Sequence, residues 1–378
     1  MKPGRNAIWL DVVWLAALAV MLGAAAIWLQ HLADFAVPRR NVYFNADTDR
    51  VFANLIDRNS NYIRLNVHPL FGIVCIAFQK LFGAQADLRV ELAVWSGLHG
   101  VLFAVFSWLA IRVWGGSRAT AAGGTLLAAS SASFVYWVPI AETHLMGGIT
   151  VLALAALWRW RPADAALAAL RSAVMFALGA SVVVTNVAAW GLAQLRLAGA
   201  WGGRPRQLIA DNLAAAGPVA VAGLAGFGLL AFGAVVQDMV LRNPSVPPLF
   251  RLWYEARYIS VERGSPIDLL HVLGLVHDAK GLLWLLNLPL AAALVWALVR
   301  NGPERAFLAL WPIFGLALHC VYDRAHGFLF SPNYLPLGMA AVAIAAGSAS
   351  PRFGPLALVA AALVCAPVNY LGYVEKRA

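Results

Sequence analysis

Long apolar stretches separated by short polar turns recur along most of the chain. A bilayer-spanning helix needs about 20 mostly apolar residues, and the first such stretch, which we expect to stay as an anchor, runs from Ala7 to Leu32. The pattern predicts an all-α polytopic membrane protein, a single domain over 1–378, with about 11 transmembrane helices. The further spans are predicted near 92–113, 119–139, 144–158, 165–181, 183–197, 212–236, 281–300, 306–322, 333–348 and 353–371.

One short apolar segment, Pro69–Gly83, decides the topology, because every later loop changes sides if it crosses the membrane. Lys2 and Arg5 precede the first span and place the N-terminus in the cytoplasm. The positive-inside rule keeps the later arginines cytoplasmic only if Pro69–Gly83 lies along the interface or re-enters the membrane without crossing it, and segments of 10–14 apolar residues usually do not span. These arginines are Arg112, Arg118, Arg159, Arg161, Arg204, Arg206, Arg300, Arg305 and Arg352.

The segment Arg171–Arg196 poses a second choice between one long span and a short hairpin. A single span would leave Arg204 and Arg206 outside the cell, against the same rule. We therefore predict a hairpin that turns near Thr185–Asn186, and with it a C-terminus on the outer side.

Composition supports a lipid environment and excludes several classes of protein. Only 12% of the residues are charged and 61% are hydrophobic, whereas soluble domains carry about 25% charged residues. A soluble enzyme, a disordered chain and a nucleic-acid binder are excluded despite the net charge of +10. No glycine-rich phosphate loop occurs, so ATP-driven transport by this chain alone is not expected.

The acidic residues separate by side in the predicted topology. Of the 18 acids, the cytoplasmic ones are Asp11, Asp164, Asp211 and Glu304, and the others lie at or beyond the outer face. The candidate chemistry therefore lies outside, in a first outer loop at about 33–91, a late outer loop at about 237–280 and the ends of nearby spans.

The first outer loop carries two groups of candidate residues. Asp47 and Asp49 stand beside Arg50; such carboxylates suit a general base or a divalent cation, and equally a solvated loop or a helix N-cap. Arg64 and His68 follow where the chain returns to the membrane, and they suit a lipid phosphate or simple interfacial placement.

Later outer segments add further candidates. Glu142 and His144 are predicted between two spans, where ionisable groups suit either a functional site or a capped turn.

Arginines of the late loop are suited to binding phosphate. Arg324 is suited to the same role, unless it only pairs with Asp323. Tyrosines suit sugar faces and equally a membrane aromatic belt. The remaining candidates are Tyr254, Glu255, Arg257, Arg263, His326, Asn333 and Tyr334.

The order of motifs after the first span resembles the GT-C class of integral-membrane glycosyltransferases, especially the lipid A aminoarabinose transferase and protein mannosyltransferase branch. The resemblance covers roughly the first 160 residues. It implies interfacial helices in the first outer loop, Asp47 as general base with Asp49 as alternate, and His68 in place of a phosphate-contacting lysine. The matching residues are Asp47, Asp49 and Arg50, then His68-Pro69-Leu70, Leu81-Phe82-Gly83 and Leu88-Arg89.

The resemblance implies an inverting transferase of the bacterial inner membrane that moves a sugar from a polyprenyl-phosphate carrier to an acceptor hydroxyl on the extracytoplasmic face. No cofactor is required, although Asp47 and Asp49 permit a divalent metal ion, and no separate soluble domain is expected. The residues expected to bind the donor phosphate are His68, Arg324, Arg257 and Arg64. The residues expected to bind the substrate are Arg50, Glu142, His144, Tyr254, Glu255, Arg263, His326, Asn333 and Tyr334.

Two alternatives remain open at the level of sequence. An O-antigen-type ligase or polymerase would use Arg257 or His271 of the late loop instead of Asp47. A lipid-linked sugar flippase or secondary transporter would need polar residues at mid-membrane depth and an inverted repeat, and no clear repeat is visible.

Overall fold

The computed structural model describes residues 5–32, 71–82, 87–160, 164–182, 186, 189–191, 274–276, 283–322 and 327–375. These residues form α-helices and one 3₁₀ helix, and no β-strand occurs among them. The α-helices are α1 (Arg5–Leu32), α2 (Phe71–Phe82), α3 (Leu88–Val113), α4 (Arg118–Ser130), α5 (Ala132–Val135), α6 (Thr143–Trp158), α7 (Ala165–Ser181), α8 (Asn287–Arg300), α9 (Gly302–Tyr322), α10 (Gly327–Ala349) and α11 (Phe353–Glu375), and the 3₁₀ helix is Leu283–Leu286.

Three of the described helices are long and apolar enough to cross a membrane: Ile8–Leu32, Arg89–Val113 and Phe353–Glu375. Several shorter helices, including α6 and α8, are also apolar. Large hydrophobic side chains such as Val20 on α1 and Leu363 on α11 are about 70% exposed (71% and 70%). An apolar surface of this kind requires lipid as its solvent, and the described chain is that of a helical membrane protein.

Polar residues at the turns determine where several helices begin. The side chain of Asp87 accepts a hydrogen bond from the Arg89 amide at the start of α3, and Ser117 and Asp164 cap α4 and α7 in the same way. Such caps satisfy amide groups that have no partner within the helix. These three helices therefore begin directly after a polar residue that caps them.

Helices α1 and α3 pack as an antiparallel pair. Asp11 of α1 meets Arg112 at the end of α3, while the backbone of Leu22 lies against Gly100. The chain therefore leaves α1 and enters α3 at the same end of the bundle. Helix α2 extends only about 18 Å and packs its Phe78 ring edge-on to Trp95 near the start of α3. This geometry agrees with the prediction that Pro69–Gly83 does not cross.

Helix α10 is the central helix of the described bundle. Every residue from 331 to 345 is buried, and α10 packs against α4, α6, α8, α9 and α11. A helix that is apolar on all sides needs such an enclosed position. Its contact with α6 is especially close, because a Cβ at Gly148 would overlap the carbonyl oxygen of Pro332.

The predicted span 119–139 is wrong as a continuous helix. Helix α4 ends at Ser130, Ser131 adopts an extended conformation, and the single turn α5 follows. At the break, the amides of Ala132 and Ser133 donate to the carbonyls of Leu275 and Gly274, both at 3.0 Å. A distant segment of the chain thus replaces the hydrogen bonds that the helix loses, as an apolar environment requires.

The chain reverses direction after α7, as predicted for Arg171–Arg196. In one straight helix Phe176 and Trp190 would lie about 21 Å apart, but their ring centroids are 5.3 Å apart. A Cβ at Gly179 would lie 3.3 Å from the Asn186 carbonyl oxygen. The chain has therefore reversed direction by Trp190. The predicted span 212–236 lies outside the described residues.

Candidate functional site

The most concentrated group of buried polar side chains lies at the start of α6, at the end of the bundle that also carries α2. The chain between α5 and α6 is held by tight turns, in which the Ile140 amide donates to the Trp137 carbonyl and the Glu142 amide to the Ile140 carbonyl. All of its residues are buried. Irregular backbone inside a membrane protein is tolerated only where protein or a water-filled cavity surrounds it.

Glu142 caps α6 while remaining almost completely buried. Its Oε1 accepts hydrogen bonds from the Thr143 amide at 2.8 Å and the Thr143 hydroxyl at 2.9 Å. The residue is 2% exposed, and its Oε2 has no hydrogen-bond partner among the described residues. A buried carboxylate oxygen without a partner is energetically costly, so Glu142 Oε2 is a candidate contact for a ligand.

His144 connects Glu142 to the central helix. Its Nε2 lies 4.0 Å from Glu142 Oε1, and its Nδ1 lies 3.0 Å from Asn333 Nδ2 on α10. The imidazole tautomer and the amide orientation determine which of these two groups donates. We call Glu142, His144 and Asn333 the polar cluster.

The polar cluster has more acceptors than donors. Asn333 Oδ1, like Glu142 Oε2, has no partner within the described part of the chain. The indole of Trp137 stands edge-on to His144 with 6.5 Å between ring centroids. Acceptor oxygens beside an aromatic side chain suit a ligand rich in hydroxyl groups. The described residues contain no group of three or more His, Cys, Asp or Glu that could hold a metal ion.

A second polar network fixes the segment Gly274–Val276, which belongs to the predicted late outer loop, inside the bundle. Asn287 of α8 bonds both the amide and the carbonyl of Val276, at 3.1 and 2.9 Å. Asn369 of α11 donates to the carbonyls of Ser130 and Leu275, at 2.8 and 2.7 Å. We call this segment the inserted strap.

Serine hydroxyls link the inserted strap to the helix that carries the polar cluster. Ser133 Oγ lies 2.6 Å from Ser331 Oγ and donates to the Gly274 carbonyl. Ser331 precedes Asn333 by two residues on α10. The strap and the break after α4 therefore form one buried polar network, and α10 carries both its Ser331 and the Asn333 of the polar cluster.

The polar cluster accounts for only part of the predicted site. Glu142, His144 and Asn333 are brought together, whereas Tyr334 packs its ring against Gly315 of α9. The other candidates lie outside the described residues: Asp47, Asp49, Arg50, Arg64, His68, Tyr254, Glu255, Arg257, Arg263, Arg324 and His326.

The sequence pattern does not single out Asn287 and Asn369, the asparagines that bond the inserted strap. Each is the only asparagine of a mostly apolar helix, and this is the signal that could have identified them, because polar residues inside spans are costly unless they have partners.

Comparison with known proteins adds no family assignment. No protein-family model matches the chain, and no curated protein matches it significantly.

Proposed function

We propose that the protein is an inverting glycosyltransferase of the bacterial inner membrane, which transfers a sugar from a polyprenyl-phosphate carrier to an acceptor hydroxyl. The polar cluster would face the extracytoplasmic side, and the arginine-rich turns would face the cytoplasm. The motif order around Asp47 and His68 supports this assignment.

The single observation that carries the proposal is the position of the polar cluster. Glu142 and His144 lie at the end of the bundle where the chain leaves α1 and returns through α2 to α3. The intervening first outer loop holds Asp47 and His68, so it begins and ends on the face that carries the cluster. The Glu142 Oε2 atom, which has no hydrogen-bond partner among the described residues, would then bind sugar hydroxyls.

The proposed reaction is a single displacement. The acceptor hydroxyl oxygen attacks the anomeric carbon from the side opposite the phosphate, the carbon–oxygen bond to the phosphate breaks, and Asp47 takes the hydroxyl proton. The departing phosphate keeps the bonding electron pair and is stabilised by cationic side chains, for which Arg324, Arg257, Arg64 and His68 are the candidates.

Replacement of Asp47 tests the proposal. We expect Asp47→Asn to abolish transfer while expression stays normal, because the amide cannot accept the hydroxyl proton. Asp57→Asn, in the same loop, is the matched control and should keep its activity. The measurement is mass spectrometry of lipid-linked and envelope glycans with and without the gene, followed by turnover with the purified protein. Turnover by Asp47→Asn at the wild-type rate would exclude this mechanism.

A second candidate, a secondary transporter of lipid-linked sugars, is favoured by the break between α4 and α5. Discontinuous helices near polar side chains are typical of transporter binding sites. The two functions differ in their products: a transporter moves the lipid-linked sugar across proteoliposome membranes and forms no new glycosidic bond. Transport without product formation would replace the first proposal with the second.

A further inference from the structure

A second, smaller hydrophobic cluster lies at the end of the bundle that carries α2. It joins α2 and α3 to the start of α6 and the end of α7. We call this cluster the satellite core, and it includes Phe71, Phe78, Trp95, Ala141, Met146 and Val182. Three residues that adjoin it each bury a polar atom with no hydrogen-bond partner in the described part of the chain. Such atoms are costly, so each of them requires an explanation.

The first of these atoms is the amide oxygen of Asn186, which follows α7. Asn186 is 1% exposed, and its Nδ2 donates to the Gly147 carbonyl of α6 at 3.1 Å. Because a carbonyl oxygen only accepts, this contact fixes the orientation of the amide. Its Oδ1 is therefore an unused acceptor, held beside α6 at the residue that directly follows Met146 of the satellite core.

The second atom is Nε2 of His99, which lies near the middle of α3. Nδ1 of the same ring donates to the Trp95 carbonyl at 2.8 Å, so Nε2 is the acceptor of the neutral imidazole. His99 is 2% exposed, and its Nε2 has no partner among the described residues. The ring centroids of His99 and Trp95 are 4.4 Å apart, which places the imidazole against the satellite core. An ionisable residue inside a span is a functional candidate by default.

The third atom is Oε2 of Glu142, the residue that caps α6. Glu142 directly follows Ala141 of the satellite core. Gly147, to which Asn186 donates, lies five residues further along, a distance of about 7.5 Å on the helix axis. All three residues with an unused acceptor therefore adjoin one apolar cluster at the start of α6.

One unused acceptor by itself does not define a site. Asn301, in the turn between α8 and α9, donates to the Ala341 carbonyl at 3.1 Å, and its Oδ1 likewise has no described partner. The start of α6 differs because acceptors from α3, α6 and the segment after α7 meet beside the same cluster. Apolar surroundings with a few convergent polar groups are typical of ligand sites.

The chemistry of the ligand follows from what these three atoms lack. Each of them needs a hydrogen-bond donor, which the hydroxyl groups of a sugar supply. The oxygens of an ionised phosphate are acceptors, and the Glu142 carboxylate would repel their charge. The region is therefore suited to a neutral group with several hydroxyls and unsuited to a phosphate.

We infer that Asn186 and His99, together with Glu142, bind hydroxyl groups of the sugar on the lipid-linked donor and determine which sugar is accepted. The inference rests on the proposed function, since it takes the transferred group to be a sugar, and it adds two residues to that site. The donor phosphate binds elsewhere. A site built to hydrogen-bond a hydroxyl rejects an analogue that lacks it, because the acceptor is left unpaired.

Binding to the intact, purified protein tests the inference without requiring turnover. The probes are short-chain polyprenyl phosphates that carry glucose, galactose, mannose, N-acetylglucosamine or xylose, and the same polyprenyl phosphate without a sugar. Each is titrated by native mass spectrometry and by the shift in melting temperature. We expect at least one sugar-bearing probe to bind more tightly than the bare polyprenyl phosphate.

Two variants remove the acceptors that the inference adds. Asn186→Leu and His99→Phe should each weaken binding of the preferred sugar-bearing probe about fivefold, because each loses one neutral hydrogen bond. Binding of the bare polyprenyl phosphate should not change. His99→Phe keeps an aromatic ring beside Trp95, so it tests the site even if Asn186→Leu does not fold.

The matched control is Asn301→Leu, which removes an amide with the same pairing at the opposite end of the bundle. It should lower the melting temperature by a similar amount and leave sugar binding unchanged. Water that satisfies the three acceptors would instead predict wild-type binding by Asn186→Leu and His99→Phe, and that result would overturn the inference. So would an equal loss with Asn301→Leu, or no preference of the wild type for any sugar-bearing probe.

The same measurements separate this inference from the proposed transferase. Sugar binding that depends on Asn186 and His99, with no glycosidic product formed, would contradict the transferase and leave the sugar site standing. Turnover that is unaffected by Asn186→Leu and His99→Phe would overturn the sugar site alone.

Discussion

Gly274 illustrates how one residue holds the inserted strap in place. Its backbone is left-handed, with φ of +70°, and a Cβ there would collide with the hydroxyls of Ser133 and Ser331. We expect Gly274→Ala to destabilise the protein by about 2–4 kcal/mol, from the unfavourable backbone conformation and the collision together. Thermal unfolding in detergent measures the effect.

The matched control for this prediction is Gly191→Ala. A Cβ at Gly191 would have no atom of the described residues within 4 Å, and alanine is favoured over glycine in a helix. The control should melt at or slightly above the wild-type temperature. Equal melting temperatures for the two variants would show that the strap contributes nothing to stability.

Cys75 on α2 provides a test of burial by pH. Enclosure by apolar side chains raises the pKa of its thiol to about 12, so at pH 8 the thiol stays protonated and unreactive. We expect negligible alkylation of Cys75 in the folded protein and rapid alkylation in detergent that unfolds it, with each site identified by peptide mass spectrometry. Rapid labelling of the native state at pH 8 would contradict the position of α2.

The direction in which the stability of the folded protein changes with pH follows from the same pKa. The unfolded thiol ionises near pH 8.5, well before the folded one, so the contribution of Cys75 to stability is complete below that pH. It is lost progressively as the pH rises from about 8.5 to 12.

At the level of elements, most helix positions are predictable, because apolar length and polar turns determine them. Helix α7 spans the predicted residues, and α6 begins one residue early. The break after Ser130 is not predictable from local pattern, since no proline or charge marks it. The groups that stabilise it, the Leu275 carbonyl and the Asn369 amide, lie far away in sequence, and only the folded chain brings them together.

Asn369 joins three elements and is the natural position to test the break. Asn369→Leu would leave the carbonyls of Ser130 and Leu275 without this donor, and a buried acceptor that loses its partner costs about 1–3 kcal/mol. We expect a clearly lower melting temperature than for the wild type. Leu363→Ala, on the exposed face of the same helix, is the control and should change the melting temperature little.

At the level of the whole molecule, the positive-inside rule predicts which turns share an end. Arg112, Arg118, Arg159 and Arg305 were all assigned to one side, and they do meet around one turn. The polar cluster is only partly predictable: Glu142 and His144 are near neighbours in the chain, but their contact with Asn333 depends on the packing of α6 against α10.

Introduced cysteines test the proposed orientation. Lys80→Cys places an exposed thiol at the end that carries α2, while Arg300→Cys and Arg352→Cys place exposed thiols at the opposite end. We expect a membrane-impermeant maleimide to label position 80 in intact spheroplasts and the other two only after permeabilisation. The unmodified protein controls for its native cysteines. The reverse pattern would invert the orientation and place the polar cluster in the cytoplasm.

The break after Ser130 also sets a condition on how the protein is made. Ser133 and the Gly274 carbonyl that it bonds are separated by 141 positions. At about 5–20 residues per second, the ribosome adds Gly274 roughly 7–28 seconds after it adds Ser133. During that interval the newly inserted helices lack the backbone partners of the strap, so the nascent first half must find water, a chaperone or the insertion machinery to satisfy them.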